Sequence, residues 1–235
     1  MKTVAIVQSS YIPWKGYFDL INSVDEFILY DDRQYTRRDW RNRNRIKAPG
    51  GPVWLTIPVM SKGKYLQRID ETYAENNIWR TRHWQSLRQS YSRAPHFAAY
   101  TQLVEELYLG SQERRLSLIN RDFIEAICRL LGIATTVRWS TEYSAEGSKT
   151  ARLVDLCRQA GATAYLSGPT ARTYLQESLF EAHGIAVRYI DYSNYPAYPQ
   201  VYPPFDHHVT ILDLLFHTGP EARKHMKSFG ATSRP

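Results

Sequence analysis

The 235-residue sequence predicts an α/β fold with a Rossmann-like, mainly parallel sheet flanked by helices and with an inserted helical region. Two observations lead to this prediction. Short apolar or β-branched runs alternate with segments of helical periodicity in the first and last thirds of the chain, which is the pattern of parallel α/β proteins. Between them, over roughly residues 76–131, the apolar residues follow the helical period.

The first 30 residues predict one complete turn of this architecture. Residues 2–7 form a short, β-branched strand that is followed by a loop in which Pro13 and Gly16 break regular structure. A helix over residues 17–23 and a second strand over residues 26–30 come next. Strand, loop, helix and strand open a Rossmann-like unit, in which ligands bind beyond the carboxyl ends of the strands.

The remaining elements are predicted from periodicity and breakers. Residues 53–59 are a candidate for a third strand, bounded by Pro52 and Pro58, and its place in the sheet is left open because prolines favour edges or strand ends. Helices in the middle of the chain contain residues 84–91, 100–107 and 116–130, and Gly132 caps the last of them. In the second half, strands at 135–139, 163–167 and 185–190 alternate with helices at 150–160 and 174–183, followed by an irregular segment at 192–205 and a helix at 210–216.

The chain shows no linker that would separate two independent domains. We therefore predict one α/β domain over residues 1–219, with residues 76–131 as a helical subdomain or lid and residues 220–235 as a short helix and a frayed tail. Neither a signal peptide nor a run of ~20 apolar residues is present. Cys128 and Cys157 lie on apolar helix faces without metal-ligand spacing, which is typical of reduced, buried thiols. These features predict a cytoplasmic protein without a membrane span.

A basic segment carries most of the net charge of +7. Seven cations and one acidic residue lie between Arg33 and Lys47, and such a cluster attracts and binds phosphate groups. Arg41, Arg43 and Arg45 alternate with asparagines, so on a strand the three guanidinium groups would share one face. The structural alternative is a solvated loop or a basic strand edge. The candidate ligand-binding residues of this segment are Gln34, Arg41, Asn42, Arg43, Asn44, Arg45 and Lys47.

Polar and aromatic residues follow the first two predicted strands. Gln8 and Tyr11 either contact a ligand or tie their loop to its own backbone, and Trp14 and Tyr17 either pack or stack on a flat ligand. Candidate catalytic groups at the end of the second strand are Asp31 and Asp32. Paired carboxylates there can bind Mg²⁺, a hydroxyl or an amine, or act as a general base. Their structural alternative is an Asx turn with a salt bridge to the nearby arginines.

Three further motifs complete the predicted site. The Lys62-Gly63-Lys64 turn is suited to touching phosphates, although such turns are also common on surfaces. His83 lies among arginines that favour its neutral, basic form, and it is a candidate general base. The Ser167-Gly168-Pro169 turn ends a strand, where small residues let backbone N–H groups approach a ligand. No Cys or His spacing indicates a metal site.

Several longer blocks carry a family resemblance. They are residues 8–18, 31–32, 34–35, 40–47, 54–59, 62–64, 165–169 and 213–216. Together they resemble the WbqC-like protein family over residues 2 to about 219. The resemblance implies a role in the biosynthesis of O-antigen or other surface polysaccharides, for which glycyl (aminoacyl) transfer to a sugar has been suggested. The family often has His-Gln-Pro where Val7-Gln8-Ser9 stands here, which disfavours a histidine-dependent nucleotidyl transfer.

The residues and the resemblance together predict a transferase that moves an activated acyl or aminoacyl group onto an amino group of a nucleotide-linked sugar. The arginines and lysines would neutralise phosphates, and Asp31 or Asp32 would orient or deprotonate the amine. A nucleotide, acyl-CoA or aminoacyl-tRNA would serve as donor. The alternatives are a non-catalytic RNA- or tRNA-binding module and an ATP-dependent ligase or nucleotidyltransferase, although no P-loop or dinucleotide-binding fingerprint is present. The sequence leaves the oligomeric state open.

Overall fold

The computed structural model describes residues 1–230 and contains seven strands and seven α-helices in that range. The strands are β1 (Thr3–Val7), β2 (Glu26–Leu29), β3 (Arg43–Ala48), β4 (Gly51–Thr56), β5 (Thr136–Trp139), β6 (Ala164–Ser167) and β7 (Ala186–Tyr189). The helices are α1 (Lys15–Asn22), α2 (Ile78–Tyr91), α3 (Phe97–Leu109), α4 (Leu116–Leu131), α5 (Lys149–Gln159), α6 (Glu177–Glu181) and α7 (Ile211–Thr218).

Five of the strands form one parallel sheet in the order β5-β2-β1-β6-β7. The central strand β1 pairs Val4 with Glu26 of β2 on one side and with Tyr165 of β6 on the other. The chain adds β2 and β5 on one side of β1 before it crosses to add β6 and β7 on the other. The strand order therefore reverses between β1 and β6, and this reversal is the position at which open α/β sheets bind ligands. The predicted Rossmann-like α/β fold is confirmed.

Two hydrophobic cores cover the two faces of the sheet. Because successive residues of a strand point to opposite faces, Ala5 and Phe27 belong to the core that also contains residues of α1, α2, α3, α4 and α7, whereas Val4 and Ile28 belong to the core that contains residues of α5 and α6. Strands buried on both faces read as continuous apolar runs, which is how β1 and β2 were predicted. None of the helices in residues 1–230 is long and apolar enough to cross a membrane.

The hairpin formed by β3 and β4 is separate from the parallel sheet. Its strands are antiparallel, with Arg43 opposite Thr56 and Lys47 opposite Pro52. The strand predicted at residues 53–59 thus belongs to this hairpin and ends at Thr56, before Pro58. Ile46 and Leu55 anchor the hairpin in the core of the α4 side of the sheet.

The later boundaries differ from prediction mainly at α6. Of the helix predicted over residues 174–183, only the five-residue α6 forms, and a 3-10 turn at Pro169–Thr173 precedes it. Gly132 does end α4 in the left-handed conformation, with φ of 64°, and residues 192–205 contain neither helix nor strand. After α7 a 3-10 helix spans Gly219–His225. The predicted frayed tail includes residues 231–235, which lie outside the described residues.

Candidate functional site

A cavity of about 1170 Å³, here called the large cavity, opens beyond the carboxyl ends of β1, β2 and β6. Val7 and Gln8 line it from β1, Arg33 follows β2, and Ser167 and Gly168 end β6. An adjoining pocket of about 240 Å³ shares the lining residues Trp14, Tyr17 and Arg41 with the large cavity. The large cavity therefore occupies the point at which the strand order reverses, and its size suits a ligand as large as a nucleotide.

Aromatic side chains form one wall of the large cavity. Trp14 and Tyr17, both predicted, line it together with Trp40 and Tyr192. The Trp14 and Tyr192 rings lie 5.2 Å apart between centroids in an edge-to-face arrangement. Trp40 is 41% exposed, so part of its ring is accessible from the cavity. Such surfaces combine apolar area with polar ring edges and suit flat or cyclic ligands.

Arg41 of the basic segment lines the large cavity and is held in place by hydrogen bonds to the backbone. Its guanidinium donates to the carbonyl oxygens of Gln8 at 2.7 Å and Ser9 at 2.9 Å. The side chain is only 12% exposed, yet it lines both the large cavity and the adjoining pocket. The Gln8 carbonyl also accepts a hydrogen bond from the Tyr17 hydroxyl at 3.1 Å. Arg41 thus sets the shape of the β1–α1 loop while keeping positive charge beside the cavity.

The start of α5 supplies a second positive element to the large cavity. Ser148, Lys149 and Thr150 line the cavity. Ser148 occupies the N-cap position without capping the helix through its side chain, and in residues 1–230 the amides of Lys149 and Thr150 have no acceptor. The ammonium group of Lys149 has no acidic partner in the same range, and Lys149 has a positive φ of 50°. Uncapped helix starts of this kind bind anions.

Most cations of the basic segment are hydrogen-bonded to the backbone, and of the seven, Arg33 and Arg41 line the large cavity. Five of the seven donate to carbonyl oxygens, which belong to Ser61, Gln8 and Ser9, Arg38, His208 and Pro204. Arg43 and Arg45 share one face of β3, as the alternation predicts, and both lie over the ring of Trp54. Arg41 precedes the strand and points elsewhere, so the three guanidinium groups do not form one surface.

The asparagines and Lys47 of the segment are structural. Asn42 donates to the carbonyl of Ile57 at 2.8 Å, and Asn44 donates to that of Ile12 at 2.9 Å. Lys47 is 3% exposed and donates to the carbonyl of Pro204. Among the three, Asn44 lines the adjoining pocket, and none lines the large cavity.

The two neighbouring aspartates have opposite environments. Asp31 is 1% exposed, its Oδ1 accepts from the Ser9 amide at 2.7 Å, and its Oδ2 has no hydrogen-bond partner in the described residues. Burial raises the pKa of Asp31 to about 6. The Asp32 carboxylate accepts from Ser140 at 2.6 Å, from Arg152 at 2.8 Å and from Arg33. Burial alone would raise the pKa of Asp32, but the hydrogen bonds from Arg33 and Ser140 outweigh it and lower that pKa.

Asp31 and Asp32 line a separate cavity of about 330 Å³, here called the small cavity. It lies beyond the carboxyl ends of β2 and β5 and next to the start of α4, whose residues Ser117 and Leu118 also line it. Asp32 faces the small cavity and Arg33 faces the large one, so this ion pair stands between the two.

Tyr11 and His83 lie in the core rather than in either cavity. The Tyr11 hydroxyl is hydrogen-bonded to Nδ1 of His83 at 2.9 Å and to the Tyr108 hydroxyl at 2.6 Å. Burial lowers the pKa of His83 to about 4, which makes the imidazole a neutral member of this network near pH 7. Neither side chain lines the large or the small cavity.

The remaining predicted site residues are divided between the surface and the large cavity. Gln34 is exposed and donates to the Tyr65 carbonyl, and Lys62 and Lys64 are exposed on a turn that lines none of the cavities described above. In the Ser167-Gly168-Pro169 turn, Ser167 and Gly168 line the large cavity, while Pro169 begins the 3-10 turn. The cavity residues that sequence reasoning missed include Arg33, Trp40, Lys149 and Tyr192; the Ser148-Lys149 helix start was the available signal for one of them.

Comparison with known proteins identifies the family. A protein of Mycobacterium tuberculosis described as "Uncharacterized protein Rv1507c" is 50% identical over 227 residues, which cover 97% of this chain and 98% of that protein. No solved structure matches the chain. The sequence model of the WbqC-like protein family matches residues 8–225. The blocks that suggested this resemblance lie almost entirely within the matched range, and the chain belongs to the WbqC-like protein family.

Proposed function

We propose that the protein is a transferase that moves an activated acyl or aminoacyl (glycyl-type) group onto an amino group of a nucleotide-linked sugar, in the biosynthesis of O-antigen or a related surface polysaccharide. The large cavity would bind the sugar nucleotide. The observation that carries this proposal is the convergence of Arg41, Lys149 and the uncapped start of α5 on an aromatic-walled cavity at the point where the strand order reverses.

The cavity lining contains groups complementary to the phosphates of the ligand on separate elements. The start of α5 supplies free amides and the ammonium group of Lys149, which has no acidic partner among residues 1–230. Arg41 lines the cavity from the segment before β3, and Arg33 is held beside the cavity by Asp32. A diphosphate carries negative charge on both phosphates, and N–H groups and cations from separate elements can bind both at once.

The aromatic wall supports a role in binding the base or the sugar. The Trp14, Tyr17, Trp40 and Tyr192 rings line the same cavity as the positive groups. Bases stack on aromatic rings without strong sequence preference, and sugar rings pack against them through their C–H faces. Ser167 and Gly168 lie at the carboxyl end of β6, where they are suited to contacting the acceptor sugar.

In the proposed reaction the sugar amine attacks the activated carbonyl carbon. A C–N bond forms, the bond from that carbon to the leaving oxygen or sulfur breaks, and the proton that the amine loses passes to the departing oxygen or sulfur. We assign Asp32 a positioning role, because its carboxylate holds Arg33 beside the cavity. Asp31 lines the small cavity, so we assign it no role in binding the sugar nucleotide. The buried, free thiols of Cys128 and Cys157 fit a reducing compartment, and we place the reaction in the cytoplasm.

The proposal is tested by calorimetric titration with nucleoside diphosphate sugars, using Lys149→Ala and the matched control Lys62→Ala. Both lysines are exposed, but only Lys149 lines the large cavity. Loss of one charged contact should weaken sugar-nucleotide binding by about tenfold in Lys149→Ala and leave it unchanged in Lys62→Ala. Equal affinities for all three proteins, or no binding of any nucleoside diphosphate sugar, would rule out the proposed site.

The same titration separates the alternatives. Bulk tRNA and ATP are included as ligands, because an RNA-binding module would bind tRNA with a steep salt dependence and a ligase would bind ATP. The RNA-binding alternative is less well supported, since most cations of the basic segment already donate to backbone carbonyls. Binding of tRNA alone, unaffected by Lys149→Ala, would favour that alternative.

A further inference from the structure

The small cavity has one unsatisfied acidic group. Oδ2 of Asp31 has no hydrogen-bond partner in the described part of the chain, although the residue is 1% exposed. The other aspartates of the cavity are already paired, Asp32 with Arg33 and Arg152, and Asp70 with Arg68 at 2.9 and 3.0 Å. A buried carboxyl oxygen without a partner is unfavourable, and a cationic donor from a ligand would satisfy it.

The small cavity is also lined by positive groups without a partner in the described residues. The 16-residue helix α4 begins there without a side-chain cap and without an acidic residue in its first turn. The amides of Ser117 and Leu118 have no acceptor among residues 1–230. In the same range, the exposed guanidinium of Arg115 lies 5.9 Å from the Tyr73 ring and has no acidic partner. Free amides, the helix dipole and a cation together favour a bound carboxylate or phosphate.

We propose that the small cavity binds a compound that carries both an ammonium and a carboxylate group, as a free α-amino acid does. The ammonium would donate to Oδ2 of Asp31, and the carboxylate would accept from the Ser117 and Leu118 amides and from Arg115. A simple anion would leave the Asp31 oxygen unpaired and would be repelled by it when it is ionised. A simple cation would leave the start of α4 unused.

The cavity volume and lining fit this ligand class. About 330 Å³ is at the lower end for small-molecule sites, and it accommodates an amino acid with a small side chain. The hydroxyl groups of Ser117 and Thr141 also line the cavity and can contact such a side chain. This proposal depends on the small cavity alone and does not rest on sugar-nucleotide binding in the large one.

The test is isothermal titration of the full chain with glycine and L-serine, with acetate and methylamine as ligands that carry only one of the two groups. The variants are Arg115→Ala, Asp31→Asn and the control Arg129→Ala. Arg129 is an exposed arginine in the last turn of the same helix. We expect glycine or L-serine to bind the wild type and Arg129→Ala alike, and to bind the other two variants about tenfold more weakly or worse.

Several results would overturn the proposal. Absence of binding by both amino acids, affinity that survives Arg115→Ala and Asp31→Asn, or acetate binding as tight as glycine binding would each do so. Arg115 is exposed and lies at a helix end, so Arg115→Ala remains a valid test if Asp31→Asn does not fold. Sugar-nucleotide titration of Arg115→Ala is run in parallel, and an unchanged affinity there shows that the two cavities are being tested separately.

Discussion

Replacement of Asp31 by asparagine should affect stability differently at neutral and at acid pH. Relative to the wild type, the variant should be more stable at neutral pH than it is at acid pH. Burial raises the pKa of Asp31 from its ordinary value of 3.8 to about 6. Each pKa unit corresponds to about 1.4 kcal/mol, so ionisation of this carboxyl group costs about 3 kcal/mol of unfolding free energy above pH ~6. Asparagine keeps the oxygen that accepts from the Ser9 amide and removes the charge. Its amide nitrogen remains unpaired at any pH, which costs about 1–3 kcal/mol.

The sign of the pH dependence follows from the raised pKa. In the range between 3.8 and about 6 the folded protein holds a proton on Asp31 that the unfolded chain releases. The contribution of Asp31 to stability is therefore lost as pH rises through that window. Because Asp31→Asn abolishes this loss, the unfolding free energy of the variant minus that of the wild type should rise by about 3 kcal/mol between about pH 4 and pH 7. For a chain of this length that corresponds to about 6–12 °C in melting temperature.

The assay is urea unfolding followed by tryptophan fluorescence at a series of pH values, because other titrating groups cancel in the difference between variant and wild type. Asp32→Asn is the matched control. The lowered pKa of Asp32 means that its contribution is present above pH 3.8 and is lost as pH falls through its folded value. Asp32→Asn should therefore lower the unfolding free energy at neutral pH, and it should lower the unfolding free energy by a smaller amount at acid pH. A difference for Asp31→Asn that stays constant from about pH 4 to pH 7 would refute the reasoning.

Three other predictions follow from single groups. Burial lowers the pKa of His83 to about 4, so NMR titration should find its ring neutral at pH 6. Because the unfolded chain binds this proton first, the unfolding free energy should fall as pH drops from 6.5 toward 4. Burial raises the pKa of the Cys128 and Cys157 thiols to about 12, so Ellman's reagent should label neither thiol until denaturant is added. Lys149→Gly should raise the unfolding free energy by about 1 kcal/mol in urea titrations, because it relieves a left-handed φ of 50°, and it should weaken sugar-nucleotide binding like Lys149→Ala.

The parallel sheet was predictable because local sequence determines most of it. Buried strands such as β1 and β2 are short apolar runs, and Gly132 marks the end of α4 through its left-handed conformation. Strand order and the separate hairpin were not predictable, because pairing depends on contacts between distant segments. The residues at 53–59 have strand character, but they pair with β3 in the basic segment and not with a strand of the parallel sheet. The helix predicted at 174–183 was too long, since apolar periodicity locates a helix but does not fix its ends, and α6 covers only Glu177–Glu181.

The candidate site was predicted correctly where the prediction depended on strand ends. Gln8 and Ser167 follow β1 and β6 and line the large cavity, as parallel topology requires. Tyr11, in contrast, is fully buried in the core, where its hydroxyl is hydrogen-bonded to His83 and Tyr108. Tyr192 could not have been identified, since it lies in an irregular segment 178 residues after Trp14 in the sequence and contacts that ring only in the folded chain.

The density of positive charge in the sequence did not identify the cations that lack an acidic partner in the two cavities. A cluster of arginines can instead donate its hydrogen bonds to backbone carbonyls. In the basic segment, loops and hairpin present such carbonyls to the arginines, and Arg43 and Arg45 are used in this way. The cations without acidic partners in the two cavities are Lys149 and Arg115, which stand at the starts of α5 and α4. Both helices lack a side-chain cap, and a cap would occupy the amides that an anion needs. The large and small cavities therefore share one arrangement, an uncapped helix start beside a cation that has no acidic partner among residues 1–230, and both proposals use it to bind an anion.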